Sequence, residues 1–264
     1  MEQGKKQRRQ IKLTVAYDGT NYCGFQVQPN GVSIGATLQS AVEKIAGHPV
    51  SLLAVSRTDA GVHATGQVAT FFLEGNIPVE KIPQALHGIL PKDIVVWQAE
   101  EVPPDFHCRY DAVGKHYRYT LRNSKICMPF DRLFVWHFVP PLDVIRMKKA
   151  LPSLVGTRNF KAFTAAHSGR SDFVRRLDAI TVEKRGDDII FDFLGRGFLY
   201  KMVRSITGFL VDVGRGHLAP ETAERAIATG DRSLLGLTAP PQGLNLVKIY
   251  YDEKDFLDKL KTMG

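Results

Sequence analysis

Leu52-Leu53-Ala54-Val55 and Val68-Ala69-Thr70-Phe71-Phe72-Leu73 bracket the stretch Ser56-Arg57-Thr58-Asp59-Ala60-Gly61-Val62-His63-Ala64-Thr65-Gly66-Gln67. Two apolar, strand-like runs are thus joined by a polar loop that contains two glycines. A buried strand edge has no use for Arg, Thr, Asp, His and Gln together; a site does. Binding and catalytic residues concentrate on loops held by a rigid scaffold. Asp59-Ala60-Gly61 supplies a tight turn that aims its carboxylate outward. The plain alternative is an Asx-turn in which Asp59 bonds its own backbone. Arg57, His63 and Gln67 beside it favour a site.

Outward from this loop, strands and helices mix in both halves of the chain. Residues 11–17 alternate as a strand, ended by the turn Asp18-Gly19. Leu38, Ala41, Val42, Ile45 and Ala46 fall on one face of a helix over 37–47, stopped by Gly47. Further strands are expected near 50–55, 67–73 and 94–98, with a short helix over 79–90 ended by Pro91. Val102-Pro103-Pro104-Asp105 marks a boundary, because paired prolines cannot continue a ladder. It divides the chain into an N-terminal domain, 1–105, with the Asp59 loop, and a C-terminal domain, 106–264. In the latter, 115–122 and 133–138 read as strands, and Asp143 caps a helix after Pro140-Pro141. Strands at 179–185 and 188–194 are joined by Gly186-Asp187, a hairpin signal. A helix over 198–213 has Met202, Val203, Ile206, Leu210 and Val213 as its core stripe. The pattern is that of an α+β protein with antiparallel sheets covered by helices.

At 264 residues the chain exceeds a typical single domain and buries a core without staples. Its 44% hydrophobic and 23% charged content is that of a globular protein. The net charge of +8 favours an acidic partner, nucleic acid being the commonest. The charge is uneven. Residues 106–125 carry five Lys/Arg against the single acid Asp111, and 195–217 add Arg196, Lys201, Arg204 and Arg215 against Asp212. Cys23, Cys108 and Cys127 have no CxxC spacing, so neither a disulfide framework nor a zinc site is indicated. No His/Cys/carboxylate cluster has metal-ligand spacing, so no metal is expected. The basic head at 1–10 lacks the apolar segment of a secretion signal, and no run approaches the roughly 18 apolar residues that span a bilayer. A cytoplasmic protein without a membrane partner is expected. Gly195-Arg196-Gly197 and Gly214-Arg215-Gly216 do not continue as GxGxxG, which excludes a dinucleotide fold on that motif.

Arg57-Thr58-Asp59-Ala60-Gly61-Val62-His63-Ala64-x-Gly66-Gln67-Val68 resembles the active-site motif of the tRNA pseudouridine synthases of the TruA type. Tyr17-Asp18-Gly19-Thr20-x-Tyr22-x-Gly24-Phe25-Gln26 resembles the family's first-strand signature. Phe106-His107-Cys108-Arg109-Tyr110-x-Ala112, running into Lys115-x-Tyr117-Arg118-Tyr119, resembles its second motif. Gly197-Phe198-Leu199-x-x-Met202-Val203-Arg204 with Gly208 resembles the third, and Ala239-Pro240-x-x-Gly243-Leu244-x-Leu246 the last. The five occur in order over nearly the whole chain. Ser56 stands where the family has Gly, and Cys108 where Ala is common. The resemblance implies two similar α/β halves, RRM/ferredoxin-like, that form a continuous, mainly antiparallel sheet with a central cleft. It implies isomerisation of uridine to pseudouridine at positions 38, 39 and 40 of the tRNA anticodon stem-loop by a homodimer. No cofactor is implied: the product is an isomer, so the reaction needs no redox carrier or energy source.

The chemistry makes two demands. A carboxylate must assist cleavage of the C1′–N1 bond, and the freed uracil must be held while it turns. The resemblance assigns the first role to Asp59, and carboxylates are established nucleophiles at glycosidic centres. Attack at C1′, addition to C6 and deprotonation at C2′ all remain open. A carboxylate must stay ionised in a partly closed pocket, which desolvation opposes. Arg204 is the cation the third motif offers, with a planar fork that Lys could not supply; otherwise it faces solvent or phosphate. Tyr117 lies on one strand face with Lys115 and Tyr119. It is assigned to the uracil, by stacking or proton transfer, while Tyr119 is structural. The resemblance implies that Leu244, after Gly243, forms an apolar wall of the pocket. The target must leave its stack, and Arg57 either fills the vacated space, holds the flipped backbone or contacts a phosphate. His63 reads as a hydrogen-bonded support.

Two rival functions remain. A non-catalytic RNA binder on an RRM-like sheet lacks the diagnostic aromatic pattern here and has no need of Asp59. A nucleoside hydrolase would release free uracil.

Overall fold

The computed structural model describes residues 8–29, 31–165 and 171–263; most of the basic head, at 1–7, lies outside the described residues. The chain divides into two compact units, Met1–Ala112 with Leu246–Ile249, and Val113–Asn245 with Tyr250–Gly264.

In the first unit, β1 (Arg8–Tyr17) buries Ile11, Leu13, Val15 and Tyr17 and leaves Lys12, Thr14 and Ala16 half-buried. That is the period of a strand with one face on a core. α1 (Ile34–Ala46) begins earlier than position 37 because Ser33 caps it, accepting from the Ala36 N–H. Gly35, which looks like a helix breaker, is a packing glycine: a Cβ there would lie 2.5 Å from the Phe25 carbonyl oxygen. Gly47 ends the helix at φ +71°, as expected. β2 (Leu53–Ala54) is far shorter than 50–55 and pairs with β3 (His63–Glu74), which itself begins before position 67. The helix expected over 79–90 splits into a 3₁₀ turn, Val79–Lys81, and α2 (Ile82–His87), because Pro83 fits only a helix's first turn. β4 (Ile94–Val102) outruns position 98 and stops at Pro103. The strand order is β4-β1-β3, antiparallel.

In the second unit, β5 (Gly114–Arg122) has the expected alternation. β6 (Trp136–His137) retains only two residues of the strand expected over 133–138 and runs parallel to β5. Asp143 caps α3 (Val144–Lys149), its carboxylate accepting from the Arg146 N–H. α4 (Leu151–Leu154) carries Pro152 in its first turn. β7 (Gly156–Asn159), β8 (Val174–Arg185) and β9 (Asp188–Gly195) complete the order β5-β9-β8-β7, all antiparallel. Gly186, at φ +61°, turns the β8–β9 hairpin. α5 (Met202–Gly214), α6 (Thr222–Thr229) and α7 (Glu253–Lys261) follow, and β10 (Leu244–Tyr250) lends its residues Leu246–Ile249 to the first unit. Along β9, Phe191 and Phe193 alternate with Asp192 and Leu194, which separates two layers. Phe191 meets Tyr119, while Leu194 packs with Tyr250 and with Phe256 of α7.

The fold is therefore α+β, with mainly antiparallel sheet flanked by helices. Among the described residues, no helix is long and apolar enough to cross a membrane.

Candidate active site

In the first unit, Asp59 opens a β-turn: the Val62 N–H donates to the Asp59 carbonyl at 3.1 Å, and Gly61 adopts φ +75°. A positive φ at the third position is what a type II turn requires, hence the glycine. Neighbouring side chains hold the turn from below. The hydroxyls of Tyr17 and Thr58 are 2.7 Å apart. Gln67, fully buried, donates to the Ser56 carbonyl at 2.7 Å and accepts from the Ser56 N–H at 3.3 Å. The Phe25 N–H donates to the Thr58 carbonyl. His63 is buried, and its Nδ1 accepts from the Gly19 N–H at 3.1 Å and lies 3.2 Å from the Asp18 carboxylate. It is a hydrogen-bonded support.

The first-strand signature supplies the floor. A Cβ on Gly19 would lie 2.0 Å from the Val62 carbonyl oxygen, and one on Gly24 (φ +106°) 2.6 Å from that of Thr58. Only glycine lets these backbones approach. Asp59 is half-buried, and Arg57 projects outward, its guanidinium without a hydrogen bond or ion pair among the described residues. Two buttress roles, those of Gly19 and Gly24, are missed by sequence reading. The signal was present in the signature, but not the partner it meets.

The second unit carries the other predicted residues. Twelve of the thirteen residues of α5 are buried, so the helix is covered on all sides and not along a stripe. Arg204 is the exception. It sits in the first turn, where the helix dipole disfavours a cation, with Lys201 as N-cap at φ +59°. Its Nε donates to the Ala239 carbonyl at 2.8 Å, and the Ala239 N–H returns a bond to the Arg204 carbonyl at 3.0 Å. Gly208 allows this approach, since a Cβ there would lie 2.0 Å from the Leu237 carbonyl oxygen. The last motif is thereby clamped to α5. With Nε fixed on Ala239, the guanidinium can engage a carboxylate only through its two terminal nitrogens.

Tyr117 is 8% exposed, and its ring meets Phe198 edge-on at 4.9 Å. Phe198, quoted in the third motif without a role, fixes the ring. Tyr119 is fully buried and donates to the Pro240 carbonyl at 2.8 Å. Burial pushes its phenol well above the usual range, with the Arg204 charge acting in the opposite direction. Gly243 abuts this ring: a Cβ would lie 2.6 Å from it. Leu244, the next residue, is 6% exposed. On the other face of β5, His116 and Arg118 bond Asp192 at 2.6 and 2.9 Å. Burial alone would raise the Asp192 carboxyl; the bonds from His116 and Arg118 outweigh it and bring the group down to about 2. Among the described residues, no group of three His, Cys, Asp or Glu could hold a metal ion.

A family model described as tRNA pseudouridine synthase matches residues 13–111 and 150–252. The chain belongs to the tRNA pseudouridine synthase family. It is 45% identical over 243 residues to tRNA pseudouridine synthase A of Thermoanaerobacter sp. (strain X514), covering 92% of this chain and 100% of that protein. The protein of the same name from Geotalea daltonii gives the same identity and coverage. That from Limosilactobacillus reuteri is 43% identical over 252 residues, covering 92% and 98%. A crystal structure of a Cbf5-Nop10-Gar1 complex matches 89% of this chain and 57% of its own at 14% identity, with a TM-score of 0.34, too low to bear on the argument. As a member of this family the protein is an isomerase of tRNA pseudouridine synthesis and binds RNA.

Proposed function

We propose that the protein converts uridine to pseudouridine at positions 38, 39 and 40 of the tRNA anticodon stem-loop, with Asp59 as nucleophile and no cofactor. The observation that carries this reading is the buttressed type II turn: Gly19 and Gly24 beneath it, and Gln67 and Tyr17 beside it, fix a half-buried carboxylate in a chain of this family. An Asx-turn needs none of that support.

The reaction balances internally. The C1′–N1 bond breaks, the uracil turns, a C1′–C5 bond forms, C5 loses its hydrogen as a proton and N1 gains one. Nothing is oxidised or reduced. Asp59 acts at C1′, at C6 or at the C2′ proton, and each path needs it ionised. Arg204 serves as the cation that keeps it so. The placement of Arg204 in the first turn of α5, against the helix dipole, supports a role facing an anion and not one in helix stability. Tyr117 is the surface for the uracil, its ring fixed by Phe198, and Leu244 an apolar wall of the pocket. Arg57, exposed and outward, fills the space the flipped nucleotide leaves, holds its backbone or contacts a phosphate. The protein works as a cytoplasmic homodimer in which both copies contact the tRNA.

The test is incubation of purified protein with unmodified tRNA labelled with tritium at uracil C5, without added cofactor or metal. Release of tritium to water, with pseudouridine mapped to 38–40, is expected. Free uracil would convert the reading to that of a nucleoside hydrolase. Pseudouridine elsewhere only would refute the site assignment. Sedimentation of the free protein checks the homodimer.

A further inference from the structure

The motif Phe106-His107-Cys108-Arg109-Tyr110 has no part in the chemistry above, and its structure in the first unit is unusual. Tyr110 is 77% exposed, yet its ring packs against that of His107, with centroids 4.1 Å apart and planes tilted by 31°. A tyrosine so exposed adds little to a core. The loop that presents it is nevertheless firmly built. His107 Nδ1 accepts from the N–H groups of both Arg109 and Tyr110 at 3.2 Å. The His107 N–H donates to the Asp111 carboxylate at 2.8 Å, and the Asp111 N–H returns a bond to the His107 carbonyl at 3.0 Å. The Gln10 side chain donates to the Phe106 carbonyl at 2.8 Å.

Cys108, fully buried, anchors the loop by donating its thiol to the Leu53 carbonyl at 3.4 Å. Leu53 belongs to β2, which leads within a few residues into Arg57 and Asp59. The loop and the catalytic turn are therefore fixed to the same strand. Arg109 is exposed and, like Arg57, has no hydrogen bond or ion pair for its guanidinium among the described residues. An outward aromatic ring beside an outward, unneutralised guanidinium, on a chain of net charge +8, matches the two halves of a nucleotide. Bases stack on aromatic faces, and phosphates take up Arg.

We propose that Arg109 and Tyr110 form a second contact for the substrate RNA, away from the reacting uridine: an unpaired base stacks on the outer face of Tyr110, and Arg109 meets a backbone phosphate. His107 is the positioning residue against which the Tyr110 ring rests. This inference rests on the reading of tRNA as substrate.

The experiment measures equilibrium binding of unmodified tRNA by the full chain at several salt concentrations, with thermal unfolding and sedimentation of each variant. Tyr110→Ala is expected to raise Kd by about 5- to 150-fold, whereas Tyr110→Phe and Tyr110→Trp, which keep the ring, bind like the parent. Arg109→Ala is expected to weaken binding and to reduce the slope of log K against log salt by about 0.7–0.9, with Arg109→Lys restoring the slope. Parental affinity in Tyr110→Ala would overturn the proposal. So would an equal loss in Tyr110→Phe, or a loss that follows a change in oligomeric state, which would make Tyr110 a contact with a second copy. If the parent binds tRNA but forms no pseudouridine at 38–40, the functional reading falls and this contact is still judged by Kd. If the parent binds no tRNA, both fall.

Discussion

Gly19→Ala tests whether the floor beneath Asp59 positions the carboxylate proposed as nucleophile. A Cβ at residue 19 would lie 2.0 Å from the Val62 carbonyl oxygen, 2.7 Å from its carbon and 3.2 Å from its nitrogen. All three are backbone atoms, so no rotamer change relieves the clash. Ordinary contact begins at 3.4 Å, which leaves a shortfall of about 1.4 Å for the chain to absorb in a close-packed interior. The Val62 N–H closes the turn onto the Asp59 carbonyl, so the shift passes to Asp59. Overpacking of this kind destabilises by about 1–3 kcal/mol, and a displacement of ~1 Å lowers turnover about 10²-fold. The assay is tritium release at saturating tRNA, alongside the thermal midpoint. Gly47→Ala is the control: Gly47 has φ +71° with nothing within 4 Å of a Cβ, so it loses roughly 1–2 kcal/mol through backbone strain alone and keeps its rate. Parental turnover in a folded Gly19→Ala protein, or an equal rate loss in Gly47→Ala, would refute the positioning argument.

Asp59→Ala should abolish tritium release while tRNA binding, dominated by phosphate contacts, stays largely intact; ordinary turnover would end its assignment as nucleophile. Tyr117→Phe removes the hydroxyl and keeps the ring, so full activity would confine Tyr117 to stacking or packing, whereas a large loss implicates proton transfer. Arg204→Glu should lose activity and unfold at lower temperature, because it also breaks the bond to Ala239; an unchanged rate at neutral pH would remove Arg204 from the site. The Asp192 carboxyl is lowered on folding from 3.8 to about 2, so its contribution of about 2 kcal/mol is complete above the unfolded value and is lost as pH falls through the folded one. Asp192→Asn should therefore be less stable at neutral pH, and its thermal midpoint should converge on the parent's between about pH 4 and pH 2; a constant gap would contradict the pairing with His116 and Arg118.

The sequence made the local features of this fold legible and hid the distant ones. Alternation along β5 placed Tyr117 and Tyr119 on one face, and Asp143 and Gly47 marked helix ends, because each signal is complete within a few residues. The early start of α1 was hidden by Gly35, whose purpose is close approach to Phe25, ten residues back. The strand expected over 133–138 shrank to Trp136–His137 because apolar residues there are not in register with a partner; Phe134 is 48% exposed. Arg204 was readable as a cation of the third motif, but the complete burial of the rest of α5 was not, since Ser205, Thr207 and Asp212 look polar in isolation. The Asp59 loop announced itself by composition. Its buttresses did not, because Gly19 meets Val62, and Gln67 meets Ser56, only after the strands have paired.

β10 bears on how this protein comes into being. Its residues Leu246–Ile249 belong to the same unit as Met1–Ala112, and there Gly66 presses so closely on Val247 that a Cβ would sit 2.3 Å from its oxygen. When a ribosome has passed Ala112, that unit still lacks a piece of its sheet, and more than a hundred further residues must be translated before it arrives. Until then the strand edge beside Thr65 and Gly66 has no β10 to meet.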